Sequence, residues 1–100
     1  MMNSMDKLLE TIQEMRVNCG WDKTDTLPIL IKSVAVEAGE LLETIQWDEE
    51  NIDMEAVKGE LADVLMYALS IAIDYDIDVQ EMIEDKIRNV YERYPHKEND

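Results

Sequence analysis

The apolar residues of this chain recur with a helical period from end to end, and no stretch alternates with the period of two that a half-buried strand requires. Glycine and proline, the usual interruptions, number only 3 and 2 in 100 residues. The reading is therefore all-α. A first helix is expected over residues 4–18, with Met5, Leu8, Leu9, Ile12 and Met15 on one stripe. Residues 19–26 read as a polar loop holding Gly20 and Trp21. A second helix is expected over 27–47, capped by Asp25 or Thr26, with Pro28 in the first turn where its missing N–H costs nothing. An acidic loop, 48–53, leads to a third helix over 54–74. The fourth starts after Asp78, with Glu81 in capping-box register, and ends near Arg93, before the stop at Pro95. The expected architecture is an antiparallel four-helix bundle-like subunit in one domain, 1–100, with 1–3 and 96–100 as flexible ends.

Two acidic pairs interrupt this pattern: Glu37-x-x-Glu40 in the second helix and Glu60-x-x-Asp63 in the third. Three-residue spacing puts both members of a pair on one face. Each pair lies roughly 80° and 140° to the same side of its helix's main apolar stripe. The stripes are Leu27, Leu30, Ile31, Val34, Ala38, Leu41 and Ile45 in one helix and Val57, Leu61, Val64, Ala68 and Ala72 in the other. The pairs are also equally far in sequence from Glu50 in the short loop. When the helices fold back on each other, all four carboxylates fall at one level on one side. Four carboxylates in a helical core repel one another and lose hydration unless a cation sits among them, and oxygen donors of this kind suit a hard ion such as Mg²⁺. The competing reading is a solvated helix flank with ordinary ion pairs.

Composition bounds the partners. With 24 acidic against 9 basic residues the formal net charge is −15, which argues against nucleic acid and anionic membranes. The single cysteine, Cys19, excludes an internal disulfide and suits a reducing cytoplasm. The N-terminus lacks the basic and apolar regions of a signal peptide, and the longest apolar run, 64–73, is too short to span a bilayer. Ile29 and Val36 lie opposite the main stripe of their helix, as do Met66 and Ile73 of theirs. Helices apolar on two sides need more cover than one small subunit supplies, so a homodimer or homotetramer is expected.

The segments Val36-Glu37-Ala38-Gly39-Glu40-Leu41-Leu42, Gln46-Trp47 and Gly59-Glu60-Leu61-Ala62-Asp63-Val64-Leu65-Met66-Tyr67 resemble the MazG-like all-α nucleoside triphosphate pyrophosphohydrolases. The likeness is strongest to their short, single-domain, dCTP-pyrophosphatase-like branch. Lys86 and the ending Arg93-Tyr94-Pro95 resemble that branch as well, as does Trp21 ahead of the second helix. The chain departs from the pattern at Val36, where many members have a further Glu, and at Val90, where the branch has Asn and this chain has Asn89 one position earlier.

The resemblance implies hydrolysis of a nucleoside triphosphate to monophosphate and pyrophosphate. It implies Glu37, Glu40, Glu60 and Asp63 as the catalytic, metal-holding set, with Mg²⁺ or alternatively Mn²⁺. No phosphate-cradling glycine loop is present, so metal and a few cations must hold the triphosphate. Lys86 and Arg93 are the candidate phosphate contacts. Trp21, Trp47 and Tyr67 are candidates to stack on the base, with helix packing as the alternative role of each; Tyr67 is the best placed, four residues after Asp63. Asp74-x-Asp76-x-Asp78 lacks the glycine of a calcium loop and reads as a capped turn. No Glu-x-x-His occurs in the sequence, which weighs against a ferritin-like di-iron centre. Two other functions share the pattern: phosphoribosyl-ATP pyrophosphohydrolase, and a non-catalytic acidic helical interaction protein.

Overall fold

In the computed structural model, residues 3–94 and 97 are described, and among them there are five helices and no strand. The helix stop at Pro95, His96 and most of the 96–100 end lie outside the described residues. Helix α1 is Ser4–Cys19, α2 Trp21–Thr24, α3 Leu27–Gln46, α4 Met54–Asp74 and α5 Val79–Arg93.

Local chemistry sets the boundaries. Asn3, placed by the sequence reading in a loose end, instead caps α1 by accepting from the Asp6 N–H at 2.8 Å. Gly20, at φ 76°, ends α1 in the left-handed region and starts α2 directly. The loop expected at 19–26 therefore contains a four-residue helical turn. Such a turn is too short to show a hydrophobic period. Thr26, rather than Asp25, caps α3. Asp53 caps α4 through the Glu55 and Ala56 N–H groups. Asp78 caps α5 through the Glu81 N–H at 3.0 Å; the reciprocal half of a capping box is not formed among the described residues. Between α4 and α5, Asp76 takes φ 51°. The Ile77 N–H returns to the Ala72 carbonyl and the Asp76 N–H to that of Ile73. That is a Schellman closure, with Asp in the position glycine usually fills. The turn expected at Asp74–Asp78 is thus a helix end followed by a cap.

Packing is led by an antiparallel hairpin of α3 on α4, with α1 laid across α4 and α2 against α1. The buried centre is small: Leu30, Ile12 and Ala72, with Ser70 and Arg16. Of the expected α1 stripe, Leu8 is about half exposed, while Arg16, one turn after Ile12, is buried. Ile31 and Leu61, expected on the inner stripes of the hairpin, are about half exposed, as are Ile29 and Val36 on the other side. Helix α5 contributes no buried residue and is not among the principal packing pairs. The described residues thus form the expected all-α, bundle-like subunit, in which the hairpin and its α1 cover supply the buried centre and α5 is the long helix that adds no buried residue to it. No helix among the described residues is long and apolar enough to cross a membrane.

Candidate metal centre

The hairpin brings the two acidic pairs together. Glu37 from α3 and Glu60 and Asp63 from α4 each present a carboxylate oxygen, and these oxygens lie within 4.8 Å of one another. All three side chains are partly buried. Glu40 stands beside the trio, close enough to act on it. Its carboxyl, through a hydrogen bond that only a protonated partner can make, is the largest cause holding the Glu37 pKa up at about 7, followed by lost hydration and the charges of Glu40, Asp63 and Glu60. Glu60 is also raised, first by desolvation and then by the charge of Glu40.

Two of these carboxylates are incompletely satisfied. Glu37 Oε2 and Glu60 Oε2 are buried and have no hydrogen-bond partner among the described residues. A buried carboxylate oxygen left unpaired is costly, and packing does not explain why two should face one point. Hard oxygen donors at this spacing fit a divalent cation of the Mg²⁺ kind, which takes one or two carboxylates and keeps the rest of its shell for water and phosphate.

A cavity of about 220 Å³ opens next to the trio, with Glu37 and Asp63 on its wall. Met15, Trp21 and Met66 give it apolar surface; Arg16, Asp25, Tyr67 and Ser70 give it polar edges. Burial first, then the charges of Glu37 and Asp25, raise the Tyr67 pKa, so its hydroxyl stays a donor. Arg16 is 1% exposed. It forms a two-pronged pair with Asp74, Nη1 to Oδ1 at 2.8 Å and Nη2 to Oδ2 at 2.9 Å, and donates to Gln13 at 3.0 Å. The Asp74 hydrogen bond raises the Arg16 pKa, keeping it charged against its burial. The pair ties α1 to the end of α4 and so fixes one wall of the cavity.

Over 96% of each chain the fold follows that of a pyrophosphatase of known crystal structure from Archaeoglobus fulgidus, with a TM-score of 0.82 and 31% identity. No curated protein sequence matches the chain. The MazG-like family model matches residues 32–100, which hold both acidic pairs and all of α4 and α5. The chain belongs to the MazG-like family. Its acidic pairs therefore sit in the matched region, whereas Arg16, Trp21 and Asp25 precede it.

Of the residues singled out in the sequence, this MazG-like subunit brings together Glu37, Glu40, Glu60, Asp63, Trp21 and Tyr67. It places three elsewhere. Trp47 ends α3 and is 87% exposed. Lys86 lies on α5 in a shallow hollow with Asp85 and Asn89, and not on the wall of the cavity beside the trio. Arg93, at the end of α5, rests 5.8 Å from the centre of the Tyr94 ring. The residues sequence reasoning missed are Arg16, Asp25 as a cavity residue, and Asp74 as the partner of Arg16. A signal for Arg16 existed: four residues after Ile12, it falls on the buried stripe of α1.

Proposed function

We propose that this chain is a Mg²⁺-dependent nucleotide pyrophosphohydrolase that converts a nucleoside triphosphate to its monophosphate and pyrophosphate, with Mn²⁺ as an alternative ion. The observation that carries the reading is the trio of carboxylate oxygens within 4.8 Å, two of its residues holding a buried, unpartnered oxygen. Family membership and the likeness to the Archaeoglobus pyrophosphatase support it.

Glu37, Glu60 and Asp63, with Glu40 at the edge, would hold the ion. Bound there, the ion neutralises phosphate charge, orients the triphosphate and makes a bound water more acidic. The remaining steps fall to the chain's own residues. In this reading one of the four carboxylates accepts the proton of the attacking water, and Glu40, beside the trio rather than within it, is the candidate. The Tyr67 hydroxyl and the Trp21 ring border the adjoining cavity, where they orient the base relative to the phosphates. Because the carboxylates would repel a triphosphate, cations must also come from the chain, and Lys86 and Arg93 are the candidates.

Both cations lie on or at the end of α5, which one subunit leaves unpacked. The chain exposes 8131 Å², roughly 2,300 Å² more than a compact monomer of its mass. Its radius of gyration is 16.7 Å, against about 13 Å for a compact chain of 100 residues. A second copy, as homodimer or homotetramer, would cover the outer face of the hairpin and the apolar side of α5, where Met82, Ile83 and Ile87 are exposed. It would also place α5 cations near a neighbour's carboxylates. The lone, exposed Cys19 suits a cytoplasmic setting.

The test is a screen of ribo- and deoxynucleoside triphosphates for pyrophosphate release with and without Mg²⁺. Release from at least one nucleotide, abolished by a chelator, is expected. No release from any nucleotide with Mg²⁺ or Mn²⁺, by protein with intact helical content, refutes the proposal. Light scattering at micromolar concentration should report a dimer or tetramer, and a stable monomer would remove the assembly from the reading.

A further inference from the structure

The lining of the cavity beside the carboxylates comes from two parts of the fold. Met15, Arg16 and Trp21 belong to α1 and α2, while Glu37 and Asp63 belong to the α3–α4 hairpin. Helix α2 follows α1 through Gly20 with no intervening loop and packs against it. The placement of α1 on α4 therefore decides how the two parts of the lining face each other.

The apolar hold on that placement is slight. Ile12 is the one apolar residue of α1 that is buried, and Leu8 and Val17 are about half exposed. A single buried side chain leaves a helix free to slide and turn. The Arg16–Asp74 pair removes both freedoms, because two parallel hydrogen bonds of 2.8 and 2.9 Å fix direction as well as distance. Of the salt bridges among the described residues it is the one that joins two elements; the others lie within α4 and within α5. Stability alone does not call for such a pair, since apolar side chains of similar volume often hold a buried site as well or better. What the arginine fork adds is a defined geometry. Arg16 itself offers almost no surface to a ligand: it is 1% exposed, and its Nε is buried without a partner among the described residues.

We infer that Arg16 and Asp74 are positioning residues for the pyrophosphohydrolase reaction: the pair clamps α1 to the end of α4 and keeps the α1–α2 side of the cavity in register with Glu37 and Asp63. This rests on the function proposed above. Neither residue touches the substrate. The phosphates react at the carboxylate cluster, and Asp63 precedes Asp74 on α4 by about three helical turns. The clamp sets how firmly the rest of the nucleotide is held against α1 and α2. Loosening it weakens substrate binding and leaves the chemical step nearly intact, which is a rise in KM rather than a fall in kcat.

The experiment takes the nucleotide that the wild-type chain hydrolyses fastest with Mg²⁺ and compares Asp74→Asn and Arg16→Lys with wild type. Asn keeps the shape of Asp74 but offers one acceptor oxygen and no charge; Lys keeps the charge of Arg16 but not its fork. Asp53→Ala is the stability control, because it removes the cap at the opposite end of α4. All are measured well below their Tm, with the helical spectrum intact. Each clamp variant should raise KM by about fivefold or more, inside the ~100-fold that a 1 Å misplacement costs. Their kcat and Mg²⁺ activation midpoint, and the KM of Asp53→Ala, should stay within about twofold of wild type. An unmoved KM in the clamp variants, a loss confined to kcat, or an equal rise in Asp53→Ala overturns the assignment while the proposed function stands. One folded clamp variant is enough to decide; failure of both to fold makes the pair a requirement of the fold and overturns the assignment too. Should wild type release pyrophosphate from no nucleotide, the proposed function falls, and the clamp is read without activity. Acrylamide quenching of Trp21 in a Trp47→Phe background should then rise in Asp74→Asn, and unchanged quenching overturns the clamp as well.

Discussion

Removing the carboxylate of Asp74 should destabilise the protein more than removing the arginine it holds. Arg16 is 1% exposed, while the Asp74 side chain keeps 27% of its surface. Asp74→Ala deletes two charge-assisted hydrogen bonds, of 2.8 and 2.9 Å, and strands a guanidinium where water cannot follow. Breaking a buried pair in this way costs about 3–5 kcal/mol. Because the aspartate is partly solvated, the lower end, about 3 kcal/mol, is expected. In a domain of this size that is a drop of roughly 12–24 °C in Tm, at about 4–8 °C per kcal/mol. Arg16→Met behaves differently: it keeps an apolar stem in the core, removes the buried charge, and leaves Asp74 able to reach water. The double variant Arg16→Met/Asp74→Ala should therefore be more stable than Asp74→Ala alone, a non-additivity that a contact counted twice would not give. Urea unfolding followed by circular dichroism, at one protein concentration for all variants, measures it. A cost below about 1 kcal/mol for Asp74→Ala, the range of an exposed surface pair, would refute the reasoning.

Other perturbations test the carboxylates and the core. Asp63→Asn and Glu40→Ala should each lower Mg²⁺-dependent pyrophosphate release by about two orders of magnitude or more, mainly in kcat, with the helical spectrum retained; near-wild-type release by both would remove the metal-site mechanism. The metal-free protein should lose thermal stability as pH rises from 4.5 through about 7, because Glu37 binds its proton more tightly folded than unfolded and its raised pKa makes the native state the better proton holder in that window. Adding Mg²⁺ at the upper end should restore Tm and release protons, and Glu37→Gln should flatten the pH dependence; a Tm that climbs across the window contradicts this. Leu30→Ala, at a fully buried position, should cost about 2–5 kcal/mol by chemical denaturation, and a loss under 1 kcal/mol would mean the hairpin core lies elsewhere.

Helix starts were legible because each depends on a few neighbouring residues: Asp78 with Glu81 announces α5, which begins one residue later, and the acidic loop ending at 53 leads directly into α4. The convergence of Glu37, Glu60 and Asp63 was legible for a related reason. Helical rotation and a short loop fix which flanks of a hairpin meet, with no knowledge of the remaining chain. Long-range contacts were not. Arg16 and Asp74 are 58 residues apart, and a charged residue on an apolar stripe gives no hint of which acid will pair with it. The position of α5 was illegible for another reason. Its apolar residues Met82, Ile83 and Ile87 are only about half covered among the described residues, so a helical period alone did not show how little of α5 would be buried.

The acidic cluster and the Arg16 pair show opposite solutions to one problem. Both put charge into the interior of a small helical protein, where lost hydration favours neutrality. Asp74 answers Arg16 directly, so the pair contributes to holding α1 against α4. Glu37 and Glu60 receive no such answer: their nearest charged neighbours are other carboxylates, and a buried oxygen of each is left unpaired. A flexible loop would relieve that repulsion by moving apart. Two helices of 20 and 21 residues, packed along their length, cannot. The repulsion is therefore kept in place by the hairpin itself, and the same rigidity holds the carboxylate oxygens ready for a cation. The stability given up at the cluster must come from elsewhere in a chain with few buried side chains. That need is met in part by Arg16 and Asp74, which hold α1 against the end of α4.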